Sequence, residues 1–342
     1  METKKIRVAI NGFGRIGRAF LKVAWERPEL EIVAVNDLGS IESLTYLLQY
    51  DTVYHTWGHA VHSDGKDIIV DGKTVRFVSE KDTTKLPWKE LDIDVVIEST
   101  GLFTAYEKAQ FHLDQGAKKV VISAPSKGDG SVAGETILLG VNEEKFGTCP
   151  ITSNASCTTN AASPLIGILN EALGIDKAIL NTVHGYTASQ SLVDGPAKKD
   201  LREGRAAAQN IVPSSTGAAI AVTKAYPSLD GLFDGISIRV PVPAGSIVDV
   251  TFISKKPTTA EEVNEILKKG AADPRWSKVF AVTEAPLVSS DILGESHASI
   301  ADLALTRVVG GTLVKVMGWY DNEMGYTYTL VEHAIKTGRT IQ

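Results

Sequence analysis

The sequence predicts an α/β protein of two domains, in which a parallel sheet comes first and an α+β domain with a mixed or antiparallel sheet follows. In the first half of the chain, short apolar runs alternate with segments of helical spacing, and this alternation is typical of a parallel sheet. In the last third, apolar runs follow one another over short connections, as they do in antiparallel sheets. A chain of 342 residues is long enough to build two hydrophobic cores.

The first domain begins with an apolar run at positions 6–10 that leads directly into the glycine-rich segment 11–17. In a strand–turn–helix unit of this kind, Gly12 permits the tight turn and Gly14 lets the backbone approach a pyrophosphate. Gly17 allows the following helix to pack closely on the strand, and the start of that helix binds the phosphates. The segment therefore predicts a Rossmann-type dinucleotide-binding domain.

An acidic residue, Asp37, ends the second apolar run, about twenty residues beyond Gly17. A carboxylate at this spacing accepts hydrogen bonds from the adenosine ribose, and it favours NAD because it repels the 2′-phosphate of NADP. A helix cap is the alternative for Asp37. Thr100 and Ser123 follow two further apolar runs, at strand ends where parallel sheets bind ligands. Runs broken by Asp-Gly pairs between positions 61 and 78 predict hairpins inserted into this domain.

The second half opens with a cysteine, Cys157, at the predicted start of a helix. The segment 156–160 surrounds the thiol with hydroxyl and amide side chains, and apolar residues then recur at helical spacing until Gly174. A helix N-terminus favours an anion, and the thiolate is the nucleophilic form of cysteine. A buried structural thiol is the alternative. The polar surroundings favour a nucleophile.

Further segments of the second half carry polar residues that suit phosphate chemistry. His184 ends an apolar run and is placed to be the general base that a cysteine nucleophile requires; a structural hydrogen bond is the alternative. The irregular segment 185–213 is long enough to suggest a functional loop. It leads into the hydroxyl-rich turn 214–217, which either cradles a phosphate or caps a helix. Arg239 lies in an apolar run, where its charge needs a phosphate or a carboxylate as partner.

Composition limits the remaining classes of function. The net charge of −6 gives no overall basic surface for nucleic acid, and no apolar run approaches the length of a membrane helix. The two cysteines, Cys149 and Cys157, are too few for a disulfide framework and indicate a reducing compartment. The N-terminus shows no secretory signal. We expect a cytoplasmic protein with no metal site and no nucleic-acid or membrane partner.

These segments together resemble glyceraldehyde-3-phosphate dehydrogenase over essentially the whole chain. The segments that match the family in order and spacing are 11–17, 36–37, 99–101, 123–125, 156–160, 182–184, 215–217, 239–241 and 319–323. The resemblance implies oxidation of glyceraldehyde 3-phosphate to 1,3-bisphosphoglycerate with reduction of NAD, through a thioester on the cysteine, in glycolysis or gluconeogenesis. It also implies a homotetramer.

The resemblance assigns roles to individual residues as well. Cys157 would attack the aldehyde, and His184 would act as the general base. The residues that would hold the substrate phosphate and the attacking phosphate are Ser156, Thr158, Thr187, Arg202, Thr216, Gly217 and Arg239. The residues that would hold NAD are Gly12, Gly14, Arg15, Ile16, Gly17, Asp37, Lys81, Thr100, Ser123 and Asn322. The NAD-binding domain would comprise residues 1–156, completed by the C-terminal helix 323–342, and the catalytic domain residues 157–322.

Two positions depart from the usual pattern of the family, and two other functions share its features. Glu203 stands where many bacterial members carry an arginine of the phosphate site, so that Arg202 would substitute for it. Lys81 stands in place of the usual arginine near the adenine. The sister enzyme that oxidises erythrose 4-phosphate shares the nucleophile, the base and the fold, although Thr187 is more typical of the triose enzyme. A non-catalytic NAD-binding protein is the second alternative, and the intact cysteine and histidine argue against it.

Overall fold

The computed structural model describes residues 4–197 and 200–341, which form two compact units. Unit 1 comprises the residues up to Ile137, Glu143–Ala155 and the residues from Thr327 onward. Unit 2 comprises Leu138–Asn142 and Ser156–Tyr326. No described helix combines the length and the hydropathy that crossing a bilayer requires.

Unit 1 is built on a parallel sheet with an antiparallel extension at one edge. Its strands are β1 (Ile6–Asn11), β2 (Leu30–Asn36), β3 (Tyr50–Asp51), β4 (His55–Thr56), β5 (Val61–Ser63), β6 (Ile68–Val70), β7 (Lys73–Val78), β8 (Val95–Glu98), β9 (Lys119–Ile122), β10 (Gly134–Thr136) and β11 (Ile151–Ser153). Its helices are α1 (Arg15–Trp25), α2 (Ile41–Gln49), α3 (Tyr106–Ala109) and α4 (Phe111–Asp114). Among the described residues, nine strands form the sheet β10-β11-β9-β8-β1-β2-β7-β6-β5, and β3 pairs with β4.

The strand order brings the carboxyl ends of β2, β1 and β8 side by side. The pairs β1–β2 and β1–β8 are parallel, with Asn11 opposite both Asn36 and Glu98. The inner strands are rich in buried Val, Ile and Ala, as expected of a sheet covered on both faces. The predicted Rossmann-type arrangement is confirmed. The predicted hairpins are present as β5–β6–β7, but β7 also pairs with β2 in parallel and so extends the main sheet.

Unit 2 is an α+β unit with a mixed sheet, as predicted. Its strands are β12 (Ile175–Gly185), β13 (Val212–Ser215), β14 (Phe233–Val240), β15 (Ser246–Ser254), β16 (Phe280–Thr283), β17 (Ser299–Asp302), β18 (Arg307–Val309) and β19 (Leu313–Tyr320). Its helices are α5 (Cys157–Leu173), α6 (Ala218–Ala225) and α7 (Ala260–Ala272). In the described part of the chain, the strand order is β13-β14-β12-β15-β19-β17-β16, and β18 pairs with β19. Strand β12 runs parallel to β14 and antiparallel to β15.

The two faces of the unit 2 sheet have different surroundings. Helix α5 covers one face, where the Leu165 side chain packs close to Gly318 of β19, opposite Val248 of β15. On the other face, Ile179 and Leu313 are exposed. Because side chains alternate between the faces of a strand, the residues of β12 that point toward α5 include Thr182 and His184. The helix-covered face therefore holds the polar end of β12.

The last helix, α8 (Met324–Gly338), belongs to unit 1 from Thr327 onward. Within that unit, Glu332 forms an ion pair with Arg27 at 2.5 Å. His333 is buried and hydrogen-bonded to the Thr152 hydroxyl at 2.8 Å. The C-terminal segment is thus part of the packing of unit 1.

Candidate active site

The site is built around the start of α5. Cys157 is the first residue of the helix, and the hydroxyl of Ser156, the N-cap, accepts a hydrogen bond from the Thr159 amide at 3.1 Å. Ala155, just before the cap, has a φ of 56°, a left-handed conformation that is uncommon for alanine and is typical of functional sites. Cys157 is half-buried, beside the first-turn amides that every helix leaves without an internal acceptor. The predicted helix start at the thiol is confirmed.

The thiol lies beside the histidine that ends β12. The Cys157 Sγ is 3.4 Å from the Nε2 of His184, which is buried. Burial and then the charge of Arg239 lower the pKa of His184 to about 3, so the imidazole is neutral. Burial also raises the pKa of Cys157, although Arg239 and Thr158 oppose the rise. Burial therefore outweighs the helix start in setting the pKa of Cys157, and the neutral His184 is the group within hydrogen-bond reach of the thiol.

Arg239 reaches the same histidine from the neighbouring strand. The parallel pairing of β12 with β14 puts Arg239 opposite His184, and its Nη1 is 2.5 Å from His184 Nδ1 and 3.3 Å from the Gly185 carbonyl. Among the described residues, Arg239 forms no ion pair with a carboxylate. The sequence left a phosphate and a carboxylate as the possible partners of Arg239, and the described part of the chain provides no carboxylate partner. The charge remains available to a phosphate.

The contacts of His184 Nδ1 allow two proton arrangements. Nδ1 is 2.6 Å from the Gly185 carbonyl as well as close to Arg239. A guanidinium only donates and a carbonyl only accepts, so Nδ1 bonds to one of them at a time. With Arg239, Nδ1 is unprotonated and the ring proton sits on Nε2, facing the sulphur. With Gly185, Nδ1 carries the proton, and Nε2 is ready to accept one from Cys157.

A tyrosine that was not among the predicted site residues, Tyr320, lies beneath this pair. The hydroxyl of Tyr320 is 2.9 Å from the Thr158 hydroxyl and 2.7 Å from the Thr182 hydroxyl. Its ring meets the His184 ring edge to face, with centroids 5.8 Å apart. Burial, followed by the nearby Cys157, raises the pKa of Tyr320, which is therefore a neutral phenol. Tyr320 thus ties the first turn of α5 to the sheet beside the histidine; its place in the 319–323 segment, at the end of β19, was the available signal.

Three of the predicted phosphate residues follow the ends of β12 and β13. Thr187 lies two residues beyond the end of β12, and its hydroxyl is 3.0 Å from that of Ser189. Thr216 follows β13, and its hydroxyl accepts from the Ala218 amide at 3.1 Å. Gly217 is the N-cap of α6, which has no side-chain cap. A Cβ at Gly217 would meet nothing within 4 Å, so its surroundings are open. These groups suit an anion at the start of a helix.

Arg202 is held by a neighbouring carboxylate. Its side chain is largely exposed, and its Nε donates to Asp200 at 3.1 Å. The neighbouring Glu203 instead turns toward β13, where its carboxylate accepts from the Ser214 hydroxyl at 3.0 Å. Position 203 therefore presents a negative charge next to the hydroxyl-rich turn, and Arg202 does not compensate for it.

The glycine-rich loop of unit 1 has the space that a dinucleotide requires. Gly12 has a φ of 95°, and a Cβ there would lie 2.6 Å from the Thr100 amide nitrogen. A Cβ at Gly17 would lie 2.1 Å from the Gly12 carbonyl oxygen, so the helix and the loop meet directly. At Gly14, the N-cap of α1, a Cβ would meet nothing within 4 Å. The loop is thus tightly packed except at Gly14, where open space adjoins the helix start, and this cradle fits a pyrophosphate.

The remaining cofactor candidates of unit 1 surround that loop. Asp37 accepts from the Phe13 amide at 2.7 Å and from the Gly39 amide at 2.8 Å, so its carboxylate is oriented beside the loop. The side chain of Arg15 is paired with Asp51 at 2.8 Å, so a pyrophosphate contact from this residue would come from its backbone at the helix start. The other cofactor candidates differ in burial. Ile16 is half-buried in α1, Thr100 and Ser123 are half-buried after the ends of strands, and Lys81 is exposed.

Asn322 lies in unit 2, directly after β19. It is buried, and its Oδ1 accepts from the Gly245 amide and the Ser246 hydroxyl, each at 3.0 Å. These two bonds fix the orientation of the amide, so that Nδ2 is the group that remains to donate to a ligand. Among the described residues, no group of three or more His, Cys, Asp and Glu side chains is placed to hold a metal ion.

Comparison with known proteins identifies the family of this chain. The model of the glyceraldehyde 3-phosphate dehydrogenase NAD binding domain matches residues 6–106, and that of the C-terminal domain matches residues 156–322. The chain is 46% identical over 339 residues to glyceraldehyde-3-phosphate dehydrogenase 2 of Streptomyces avermitilis, covering 98% of this chain and 99% of the relative. It is 46% identical over 332 residues to glyceraldehyde-3-phosphate dehydrogenase 1 of Kluyveromyces lactis, covering 96% and 99%. It is 45% identical over 336 residues to glyceraldehyde-3-phosphate dehydrogenase 3 of Saccharomyces cerevisiae, covering 97% and 99%. Both domains and nearly the full length are matched, and the chain therefore belongs to the glyceraldehyde-3-phosphate dehydrogenase family.

Proposed function

We propose that this chain oxidises glyceraldehyde 3-phosphate to 1,3-bisphosphoglycerate, with NAD as hydride acceptor and inorganic phosphate as second substrate. The observation that carries the proposal is the 3.4 Å contact between Cys157 Sγ and His184 Nε2 at the start of α5, in a chain of this family. A nucleophile and a base within hydrogen-bond reach are the combination that covalent catalysis requires. The same contact argues against a non-catalytic NAD-binding protein.

The protein's own residues perform the covalent part of the reaction. The Cys157 sulphur attacks the aldehyde carbon while its proton passes to Nε2 of His184, which gives a hemithioacetal on the sulphur. The amide N–H of Cys157, in the first turn of α5, supports the negative charge that develops on the carbonyl oxygen. His184 passes the thiol proton to the new oxygen, which completes the hemithioacetal hydroxyl. It takes the proton back as hydride leaves the same carbon, and the product is a thioester on Cys157 beside a protonated His184. Attack by phosphate on the thioester forms the acyl phosphate and returns the sulphur of Cys157.

Arg239 and Thr187 hold the phosphate of the aldehyde substrate, and Ser156, Thr158, Thr216 and Gly217 hold the attacking phosphate. When a substrate phosphate takes up the Arg239 guanidinium, Nδ1 of His184 is left to donate to the Gly185 carbonyl. This arrangement leaves Nε2 unprotonated, as a base must be. The negative charge of the phosphate also offsets that of the guanidinium and so makes the imidazole more basic, since the charge of Arg239 helps to lower the pKa of His184.

NAD, when bound, supplies the hydride acceptor that side chains lack. The residues of unit 1 that would hold it are Gly12, Gly14, Arg15, Ile16, Gly17, Asp37, Lys81, Thr100 and Ser123, and the open space at Gly14 supports this placement. Asp37 favours NAD over NADP because a 2′-phosphate would meet its carboxylate. Asn322 would donate to the nicotinamide amide. We assign the NAD-binding domain to residues 1–156 with the C-terminal helix 323–342, and the catalytic domain to residues 157–322.

The chain offers a matched control for the nucleophile. Cys149, the other free cysteine of the described chain, is buried and its sulphur contacts the Ile151 carbonyl. We expect Cys157→Ser to lower kcat by at least about 10³-fold and Cys149→Ser to leave it within about twofold, since serine is a far weaker nucleophile at a site that does not ionise it. NAD reduction at wild-type rate by Cys157→Ser would exclude thiol catalysis.

The identity of the aldehyde substrate is tested by comparing the kinetics of the two sugar phosphates, glyceraldehyde 3-phosphate and erythrose 4-phosphate. We expect kcat/KM for glyceraldehyde 3-phosphate to exceed that for erythrose 4-phosphate at saturating NAD and phosphate. Equal or better turnover of the tetrose would replace the triose assignment with the sister activity. A folded protein that is inert to both aldehydes while it still binds NAD would support the non-catalytic alternative.

The assembly proposed for this chain is a homotetramer in the cytoplasm. The support for assembly is the apolar outer face of the unit 2 sheet, whose exposed members are Ile179, Ile236, Ile253, Val309 and Leu313. The support for a reducing compartment is the pair of free thiols, Cys149 and Cys157. Light scattering after gel filtration tests the assembly: we expect the mass of four chains for the wild type and a smaller species for Ile179→Asp. A wild-type monomer would overturn the assembly.

A further inference from the structure

Three polar side chains form a buried row in unit 1, at the carboxyl ends of three neighbouring strands. Asn36 ends β2, Asn11 ends β1 and Glu98 ends β8, and the three are opposite one another in register. Their exposed fractions are 7%, 2% and 2%. Burying a carboxylate and two amides is costly unless their polar atoms are paired, and apolar residues would fill the same space without that cost. The row therefore requires an explanation beyond packing.

The hydrogen bonds at one end of this row have a fixed direction. The indole of Trp88, which can only donate, donates to Nδ1 of His112 at 2.9 Å. That nitrogen is therefore unprotonated, and the neutral ring carries its proton on Nε2, which donates to Glu98 Oε2 at 3.0 Å. Burial lowers the pKa of His112 despite the neighbouring Glu98, in agreement with a neutral ring.

The bonds at the other end run toward the same carboxylate. The backbone amide of Glu80 donates to Asn36 Oδ1 at 2.9 Å, and Asn36 Nδ2 donates to Asn11 Oδ1 at 2.8 Å. Asn11 Nδ2 then donates to Glu98 Oε2 at 2.6 Å, while the amide and the hydroxyl of Thr100 donate to Glu98 Oε1. Asn36 Nδ2 also donates to the Glu80 carbonyl at 3.1 Å, and the side-chain donors from both ends of the row meet at Glu98. Only an ionised carboxylate accepts from all of these groups, and a glutamine could not.

Each member of the row is followed by a segment that meets the cofactor in the proposed function. Asn11 precedes the glycine-rich loop, Asn36 precedes Asp37, and Glu98 precedes the segment that contains Thr100. The Ser99 hydroxyl also donates to the Gly12 carbonyl at 2.7 Å. None of the ion pairs in the described residues joins Glu98 to a lysine or an arginine. The carboxylate thus serves the three loops rather than a charge pair.

We propose that Glu98 is a positioning residue for dinucleotide binding, whose carboxylate holds the three cofactor loops in place through Asn11, Asn36 and Thr100. The proposal rests on the proposed use of NAD. It predicts that loss of the carboxylate loosens these loops before any cofactor is present. It also predicts weaker NAD binding with little change in the covalent chemistry at Cys157.

The test compares Glu98→Gln with Asp94→Asn in the full-length protein. Asp94 is a buried acid at the opposite end of the same strand segment, where it accepts from the Arg7 amide and from Lys118. Hydrogen exchange without added NAD is measured for the segments 11–17, 36–39 and 98–102. NAD affinity is measured by calorimetric titration, and the reactivity of Cys157 by the rate of alkylation.

We expect Glu98→Gln to speed exchange in all three segments by at least about tenfold and to weaken NAD binding about 10- to 100-fold. The alkylation rate, and kcat at saturating NAD, should stay within about threefold. Asp94→Asn should change neither the exchange of these segments nor the NAD affinity by more than about twofold.

Two outcomes would overturn the proposal. One is a folded Glu98→Gln protein with wild-type exchange and NAD affinity, and the other is an equal weakening by both variants, which would indicate a general loss of stability. If Glu98→Gln does not fold, Asn36→Ser is used, which keeps the carboxylate but removes the bridge from Glu80 to Asn11 and should weaken NAD binding about tenfold. Exchange and NAD binding do not depend on the aldehyde, so these results are separate from the test of the catalytic function.

Discussion

The same substitution at two glycines of the cofactor loop should have different effects on the stability of the fold. A Cβ at Gly17 would lie 2.1 Å from the Gly12 carbonyl oxygen and 3.2 Å from a methyl of Ile10, whereas a Cβ at Gly14 would meet nothing within 4 Å. Gly14 has a φ of −67°, which alanine adopts without strain. Gly17→Ala should therefore damage the fold, and Gly14→Ala should affect only the bound cofactor.

The expected magnitudes follow from these distances. At Gly17, contact with a backbone atom must open by more than about 1 Å, and overpacking of this kind costs about 1–3 kcal/mol. Alanine has a higher helix propensity than glycine, which stabilises α1 by about 1 kcal/mol. We therefore expect a net decrease of up to about 2 kcal/mol in the free energy of unfolding. Gly14→Ala should leave this free energy unchanged or raise it by about 0.4–1 kcal/mol, because alanine restricts the unfolded chain.

Urea unfolding and NAD titration of both variants separate the two effects. We expect both to weaken NAD binding at least about tenfold, or about 1.4 kcal/mol, but only Gly17→Ala to lose stability. Gly14→Ala with wild-type NAD affinity would refute the reasoning, because the open space at Gly14 would then not be the pyrophosphate site. A stable Gly17→Ala would show that the helix and the loop separate without cost.

Three further predictions concern the rest of the chain. Arg239→Gln should lower kcat/KM for glyceraldehyde 3-phosphate roughly 10- to 150-fold, from about 1.5–3 kcal/mol for a charged hydrogen bond, but should not lower that for unphosphorylated glyceraldehyde, because His184 without the neighbouring charge is the stronger base; equal losses for both aldehydes would contradict a phosphate contact. Tyr320→Phe removes the bonds to Thr158 and Thr182 and should cost about 1–3 kcal/mol in urea unfolding, together with a slower alkylation of Cys157; an unchanged free energy would mean that the two threonines find other partners. Burial lowers the pKa of His333 to about 3, below the value of an unfolded histidine, so the unfolded state binds more protons below about pH 6.5 and stability is present above that pH and lost as the pH falls. By pH 5 this loss is about 2 kcal/mol for His333, and His333→Gln should remove that share of the decline in unfolding free energy between pH 7.5 and 5; an unaltered decline would assign it to other groups.

The cofactor loop and the nucleophile are features that the sequence determines by itself. A glycine required for a tight turn, a carboxylate at a strand end and a cysteine before a helical pattern are local, because backbone conformation and helix start depend on neighbouring residues. The Rossmann-type domain and the helix start at Cys157 were predictable for this reason. The extension of the main sheet by β7 was not, because strand order depends on pairing between distant segments.

Tertiary structure alone decided which side chains surround the thiol and in what state. Arg239 meets His184 because β12 and β14 pair in parallel at one register, and Tyr320 reaches Thr158 and Thr182 across the sheet. The helix start suggested a thiolate, yet burial raises the pKa of Cys157, since the free energy of a charge depends on all the atoms around it. The sequence thus determined which groups are available, through local conformation. Their protonation and their partners were set by long-range packing, which no local pattern records.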